Sequence, residues 1–236
     1  MLIDQEKCVG CGGCVSFCPQ NAIRLTASGA QIELDDCVEC GVCSRVSVCP
    51  TDAIFQQPLE WPRSVRAIYS DPLNVHKETG LAGRGTEETK TNDVTGRFKR
   101  GMTGVALELG RPGIGSRLSE LEKLSKALAK YGVEFEPLNP LTNLINPETG
   151  EIPAEIRNEK VLSAIIEFAV KDEQLLEALD LIADTAKSVD TVFSVVLGTR
   201  ANVAGTWETA KLLQGTKYEY RPNAKINVGL GKPYIG

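Results

Sequence analysis

All eight cysteines of this 236-residue chain fall between positions 8 and 49, and no other feature limits its fold as much. They form two runs. CVGCGGCVSFCP carries Cys8, Cys11, Cys14 and Cys18 ahead of Pro19, and CVECGVCSRVSVCP carries Cys37, Cys40, Cys43 and Cys49 ahead of Pro50. An internal repeat surrounds them, with CPQNAI at 18–23 answered by CPTDAI at 49–54. The N-terminal MLIDQEKC is acidic within six residues and has no apolar signal core, which predicts a cytoplasmic chain. No run of about 18 apolar residues is present, so no transmembrane helix is expected. Thiols crowded together in a reducing compartment point to metal rather than to disulfides.

Apolar residues make up 42% of the chain and charged ones 24%, as in an ordinary globular protein. The charge is uneven. Residues 1–60 hold eight acids against Lys7, Arg24 and Arg45, which accounts for the whole net charge of −5. The remainder is neutral, which argues against a nucleic-acid-binding surface.

The first run has the C-x2-C-x2-C-x3-C-P spacing of bacterial ferredoxins, and residues 1–58 resemble the two-cluster members of that family. The resemblance implies two [4Fe-4S] clusters and the transfer of single electrons. Three cysteines on a tight loop reach three irons of one cubane, and the fourth thiolate comes from the Cys-Pro of the other run. The implied ligands are Cys8, Cys11, Cys14 and Cys49 for one cluster, and Cys18, Cys37, Cys40 and Cys43 for the other. Gly10, Gly12, Gly13 and Gly41 let backbone amides approach the sulfides. One departure is clear: five residues, 44–48, separate Cys43 from Cys49 where the family usually has three. The longer loop is expected to change the solvation and potential of the nearby cluster. Two four-cysteine zinc sites are the other reading, but zinc ribbons use paired C-x2-C knuckles without the terminal Cys-Pro.

Residues 59–102 read as an extended connecting segment rich in glycine, proline and charge, with Trp61, Tyr69, Leu73, Val75 and Phe98 as anchors. Residues 103–236 read as an α+β domain. TGVALEL at 103–109 alternates as a half-buried strand, and Leu118, Leu121, Leu124 and Leu128 mark a helix ending at Gly132, capped by Ser116 or Ser119. VEFE at 133–136 reads as a strand, 137–153 as loop, and 159–170 and 173–186 as helices. TVFSVVL at 191–197 reads as a central strand, followed by a short helix at 206–213 and a last strand at 226–230. This order predicts a two-layer α/β sandwich of ferredoxin-like topology, with a doubly wound α/β fold as the alternative.

The loop GRPGIGSR, with Gly110, Arg111, Gly113, Gly115 and Arg117, follows a strand and precedes a helix. It reads as a tight turn or as a site for an anion such as a flavin phosphate or a substrate carboxylate. Neither the Walker A nor the G-x-G-x-x-G pattern is met. His76, the only histidine, reads as a surface residue, and Trp207 as packing. The run from GRGTEETKTNDVTGRFKRG (83–101) through VALELGRPGIGSR to FEPLNP resembles 6-hydroxynicotinate reductase-type proteins over residues 65–170. Those are anaerobic enzymes, fed by reduced ferredoxin, that dearomatise a pyridine ring. That resemblance implies Arg84, Lys90, Asn92, Asp93, Arg97 and Arg111 as site residues.

The leading expectation is an iron–sulfur electron-transfer subunit of a low-potential oxidoreductase. It would assemble with a catalytic partner, and a flavin in this chain or the partner would do two-electron chemistry. The alternatives are a subunit that contributes directly to a substrate site, and a redox sensor whose α+β domain binds an effector.

Overall fold

A computed structural model describes residues 1–77, 80, 82, 99–110, 113–200, 202 and 204–220. The cysteine-rich head contains two small antiparallel pairs. Strand β1 (Leu2–Ile3) pairs with β4 (Ile54–Phe55), and β2 (Ile23–Thr26) pairs with β3 (Gly29–Ile32). One strand of each pair, β2 or β4, follows a Cys-Pro, so the sequence repeat becomes a repeat of structure. The five residues at 44–48 are absorbed by a short helix, α1 (Val42–Arg45), and a turn in which Ser47 has positive φ. Val48 then returns to the small core of the head.

Residues 59–77, expected to be extended, include helix α2 (Ser64–Ile68). Its Val65, and Tyr69 just beyond it, join the main core of the C-terminal region. Of the expected anchors Trp61, Tyr69, Leu73 and Val75, only Tyr69 is buried, and Phe98 lies outside the described residues. His76 is a correction: it is buried beside the Tyr69 ring, with centroids 5.8 Å apart. Its polar surroundings in the sequence hid the contact.

The C-terminal region is mixed α+β with small antiparallel sheets. Strand β5 (Met102–Leu109) is central, paired with β8 (Ala164–Lys171) on one side and β9 (Phe193–Thr199) on the other. The register runs Met102↔Lys171 to Leu109↔Ala164 and Thr103↔Thr199 to Leu109↔Phe193. A lone antiparallel bridge, Phe135↔Phe168, stands where VEFE was expected to form a strand. A two-residue pair, β6 (Ser116–Arg117) with β7 (Lys160–Val161), and an isolated bridge, Val75↔Ala82, complete the pairings among the described residues. Every one is antiparallel, which rules out the doubly wound alternative for these residues.

Helix α3 (Leu118–Tyr131) forms as expected and buries Leu118, Leu121, Leu124 and Leu128. Gly132 ends it with φ 91°, its amide bonded to the Leu128 carbonyl, a left-handed cap that favours glycine. Neither serine caps its start. Arg117 occupies that position, and the Leu118 and Ser119 amides donate to the Glu159 and Arg157 carbonyls at 3.0 and 2.7 Å. Helix α4 (Leu175–Ala186) packs Leu175, Ala178, Leu179 and Ile182 into the same core, and α5 (Glu208–Leu213) follows β9. Trp207, expected to pack, is largely exposed.

Two further expectations fail for physical reasons. Residues 159–170 form β7 and β8 instead of a helix. β8 is buried on both faces, so it lacks the alternation that marks a strand, and a short apolar run reads equally well as helix. TVFSVVL forms β9, the edge of the three-stranded sheet, with Val195 and Val196 exposed; the centre belongs to β5, whose two faces are both covered. The expected strand at 226–230 lies outside the described residues.

The head and the C-terminal region meet along a polar seam. Arg66, buried in α2, donates to the carbonyls of Leu34, Asp35 and Cys37 at 3.0, 2.8 and 2.8 Å and pairs with Glu159. Arg117 binds Asp35 at 2.6 Å and holds its carboxyl below the usual carboxylate range. Lys160 reaches Asp36 at 3.3 Å. Replacing Arg66 with alanine leaves the Asp35 and Cys37 carbonyls and the Glu159 carboxylate without this partner, while the Leu34 carbonyl keeps Arg63 at 3.0 Å, and should cost about 3–5 kcal/mol. A urea titration reads this, and a loss below about 1 kcal/mol would show that the seam adds little.

Candidate electron-transfer site

The two cysteine runs exchange their last members. One cavity is lined by Cys8, Cys11, Cys14 and Cys49, with Val9, Gly12, Ala30 and Ala53. A second is lined by Cys18, Cys37, Cys40 and Cys43, with Ile23, Ile32 and Val38. The crossing follows from the pairing of β1 with β4, which carries Cys49 back beside the first loop, while β2 and β3 set Cys18 beside the second.

Backbone donors repeat with the sequence. The amide of Ala22 donates to Cys18 Sγ at 3.2 Å, and that of Ala53 to Cys49 Sγ at 3.2 Å, each four residues after its cysteine. The Ala30 amide reaches Cys8 Sγ at 3.4 Å. Such donors favour a charged sulfur and tune any metal bound to it. Burial pushes the Cys43 thiol up to about 12, and repulsion from Cys40, Cys37 and Cys18 adds to the shift. Burial also raises Cys14, Cys37 and Cys40. Thiols packed in this way ionise only against compensating positive charge.

These residues fit a pair of iron–sulfur cubanes. Each cavity has four soft sulfur donors and a mostly apolar wall, with Gln20 in one and Thr51 in the other. Four sulfurs on the wall of one cavity are the donor set a cubane takes, one thiolate to each iron corner. When bound, such clusters supply reversible one-electron transfer.

The glycine-rich loop faces the head. Gly113 O accepts from Gln20 Nε2 at 2.6 Å, Gly115 N donates to Gly110 O at 2.9 Å, and Gln20 fills the space a Gly115 side chain would need. Arg117 is engaged by Asp35 and by the Asn158 carbonyl at 2.6 Å. The loop's described groups are thus engaged within the chain itself. At Gly110, φ is 80° and a Cβ would lie 2.7 Å from the Leu162 carbonyl oxygen. Gly110→Ala should therefore cost about 2–3 kcal/mol in a thermal melt, and an unchanged melting point would contradict this account of the turn. Arg84, Lys90, Asn92, Asp93, Arg97 and Arg111 lie outside the described residues.

The sequence reading missed two features. One is the buried carboxylate Glu39, between Cys37 and Cys40, which accepts from Arg63 Nε at 2.9 Å and Gln56 Nε2 at 3.1 Å. The other is Arg66, which ties the backbone of the second cysteine run to Glu159. No local motif marks either, because their partners are distant in sequence.

An N-terminal module with two four-thiol cavities, amide donors to sulfur and a repeated Cys-Pro defines a two-cluster iron–sulfur electron carrier. Residues 7–59 match the 4Fe-4S dicluster domain family, and through them the chain belongs to the dicluster ferredoxins. The chain is 35% identical over 60 residues to Ferredoxin-2 of Nitratidesulfovibrio vulgaris, covering 23% of this chain and 86% of that one. It is 41% identical over 54 residues to pyruvate synthase subunit PorD of Methanocaldococcus jannaschii, which covers 22% of this chain and 60% of that relative. It is 45% identical over 47 residues to a protein of the ion-translocating oxidoreductase complex of Methanosarcina acetivorans, which covers 20% of this chain and 17% of that relative. No solved structure matches the chain. Among the described residues no helix is long and apolar enough to cross a membrane.

Proposed function

We propose that the chain is the electron-carrying subunit of a low-potential oxidoreductase complex, passing single electrons between a carrier and a catalytic partner. One observation carries the reading: the last cysteine of each run lines the other run's cavity. On that basis Cys8, Cys11, Cys14 and Cys49 hold one [4Fe-4S] cluster, and Cys18, Cys37, Cys40 and Cys43 hold the other. The names of the relatives support a place in a complex, since two are subunits of oxidoreductases.

We read residues 1–58 as the carrier domain. Residues 103–236 are read as a ferredoxin-like two-layer sandwich, on the sheet order Phe135, β8, β5, β9 and the core shared by α3 and α4. Residues 59–102 join the two, with α2 as part of the seam.

Anaerobic purification of the tagged chain from its own cells tests the assembly. A larger catalytic chain carrying a two-electron cofactor is expected to accompany it. A chain recovered alone, stable and fully loaded with iron, would contradict a place in a complex.

A further inference from the structure

The internal repeat breaks between the first two cysteines of each run. CVGC in the first run is answered by CVEC in the second, so Glu39 stands where the first run has Gly10. Both residues lie in the left-handed region, with φ 68° at Gly10 and 56° at Glu39. Glycine adopts that backbone freely, whereas a glutamate there is strained. The second run carries the glutamate all the same and buries it to 1% exposure.

The surroundings hold this side chain as a charged carboxylate. Arg63 donates to Oε1 through Nε at 2.9 Å and through Nη2 at 2.5 Å, and Oε2 accepts from Gln56 Nε2 at 3.1 Å and from the Met1 amine. Arg63 is fixed in turn by the Leu34 carbonyl, 3.0 Å from Nη2. The charge reaches the cysteines beside it: burial raises the Cys37 thiol most, and the Glu39 carboxylate adds to the rise. Cys37, Cys40 and Cys43 are all buried, and Val38 and Cys40 pack against Leu162, so little water screens a charge at this cavity. At the matching place of the first cavity Gly10 has no side chain, and Cys11 is exposed.

We propose that Glu39 sets the potential of the cluster held by Cys18, Cys37, Cys40 and Cys43, and that Arg63 positions its carboxylate and offsets part of its charge. Reduction adds one electron to a cluster, and a fixed negative charge in a poorly screened wall opposes that gain. The carboxylate therefore favours the oxidised cluster, and the guanidinium favours the reduced one. Gly10 exerts no such bias, so the two halves of one repeat give their clusters different driving forces. This inference rests on the electron-carrier reading.

The test is a potentiometric titration of the full, iron-loaded chain with dithionite, both clusters being followed by electron paramagnetic resonance. Glu39→Gln should shift the reduction equilibrium of one cluster about tenfold toward the reduced state, about 59 mV for one electron, and leave the other in place. Glu39→Gly, which copies the first run and relieves the backbone, should raise the same potential. Arg63→Gln should lower it. Glu33→Gln, which removes an exposed carboxylate elsewhere in the head, should move neither. Unmoved potentials in both Glu39 variants, an equal shift of both clusters, or an equal shift in Glu33→Gln would each overturn the inference. A rise in Arg63→Gln would overturn it too, because damaged packing would then account for every shift. Iron is counted in the same samples. Two loaded clusters with unmoved potentials would overturn this inference alone, whereas a chain without iron would overturn the electron-carrier reading as well.

Discussion

Removing the iron is expected to unfold residues 1–58 while the C-terminal core stays folded. Apart from the seam, the head has little else to hold it. Its buried core consists of Met1, Ala22, Ile23 and Ala30 with Cys14, Cys37 and Cys43, so thiols supply much of the interior. Its sheets are two-stranded pairs, which are marginal alone, and modules of this size usually need metals or cross-links. Without positive charge the buried thiols stay protonated and nothing fills the cavities, so the free energy of metal binding is also folding free energy. The C-terminal region, by contrast, buries Leu107, Leu109, Leu118, Leu121, Leu124, Leu128 and Ile166. After chelation, hydrogen exchange should show protection in β2 and β3 falling by about a thousandfold, roughly 4 kcal/mol of opening free energy, with β5 and β8 still protected. Protection retained in the iron-free head would mean that its fold does not depend on clusters.

Exchanging the last cysteine of one run should empty the other run's cavity. Cys18→Ala is expected to lower bound iron from about eight to about four per chain, and Cys49→Ala to do the same. The survivors should differ. In Cys18→Ala the remaining cluster sits behind the exposed Cys11 and should yield quickly to a chelator. In Cys49→Ala it sits among Cys37, Cys40 and Cys43 under Leu162 and should yield slowly. Quick loss in Cys49→Ala and slow loss in Cys18→Ala would mean that each run ligates its own cluster, contrary to the crossing.

The head was legible because its information is local. Spacing, the repeated Cys-Pro and the glycines between cysteines are all visible in short windows. The longer 44–48 loop is visible in the same way, as extra residues between Cys43 and Cys49. Helices α3 and α4 were legible from leucine spacing and the Gly132 stop. β8 was not, because burial on both faces erased its alternation, and Glu167 within it is hidden beside Asn139 at 3.3 Å. The standing of β9 as an edge was not legible either, since β-branched residues suit edges and centres alike. The contact of the GRPGIGSR loop with Gln20 was not legible, because Gln20 lies 93 residues from Gly113. Long-range pairing of this kind also concealed Arg66.

The central claim is that this chain carries two iron–sulfur clusters in crossed ligand sets. Metal and sulfide analysis of anaerobically purified protein, with electron paramagnetic resonance after reduction, tests it most directly. The account predicts about eight irons and about eight inorganic sulfides per chain, with signals from two interacting reduced clusters. About two zinc ions per chain, with no sulfide and no signal on reduction, would contradict it.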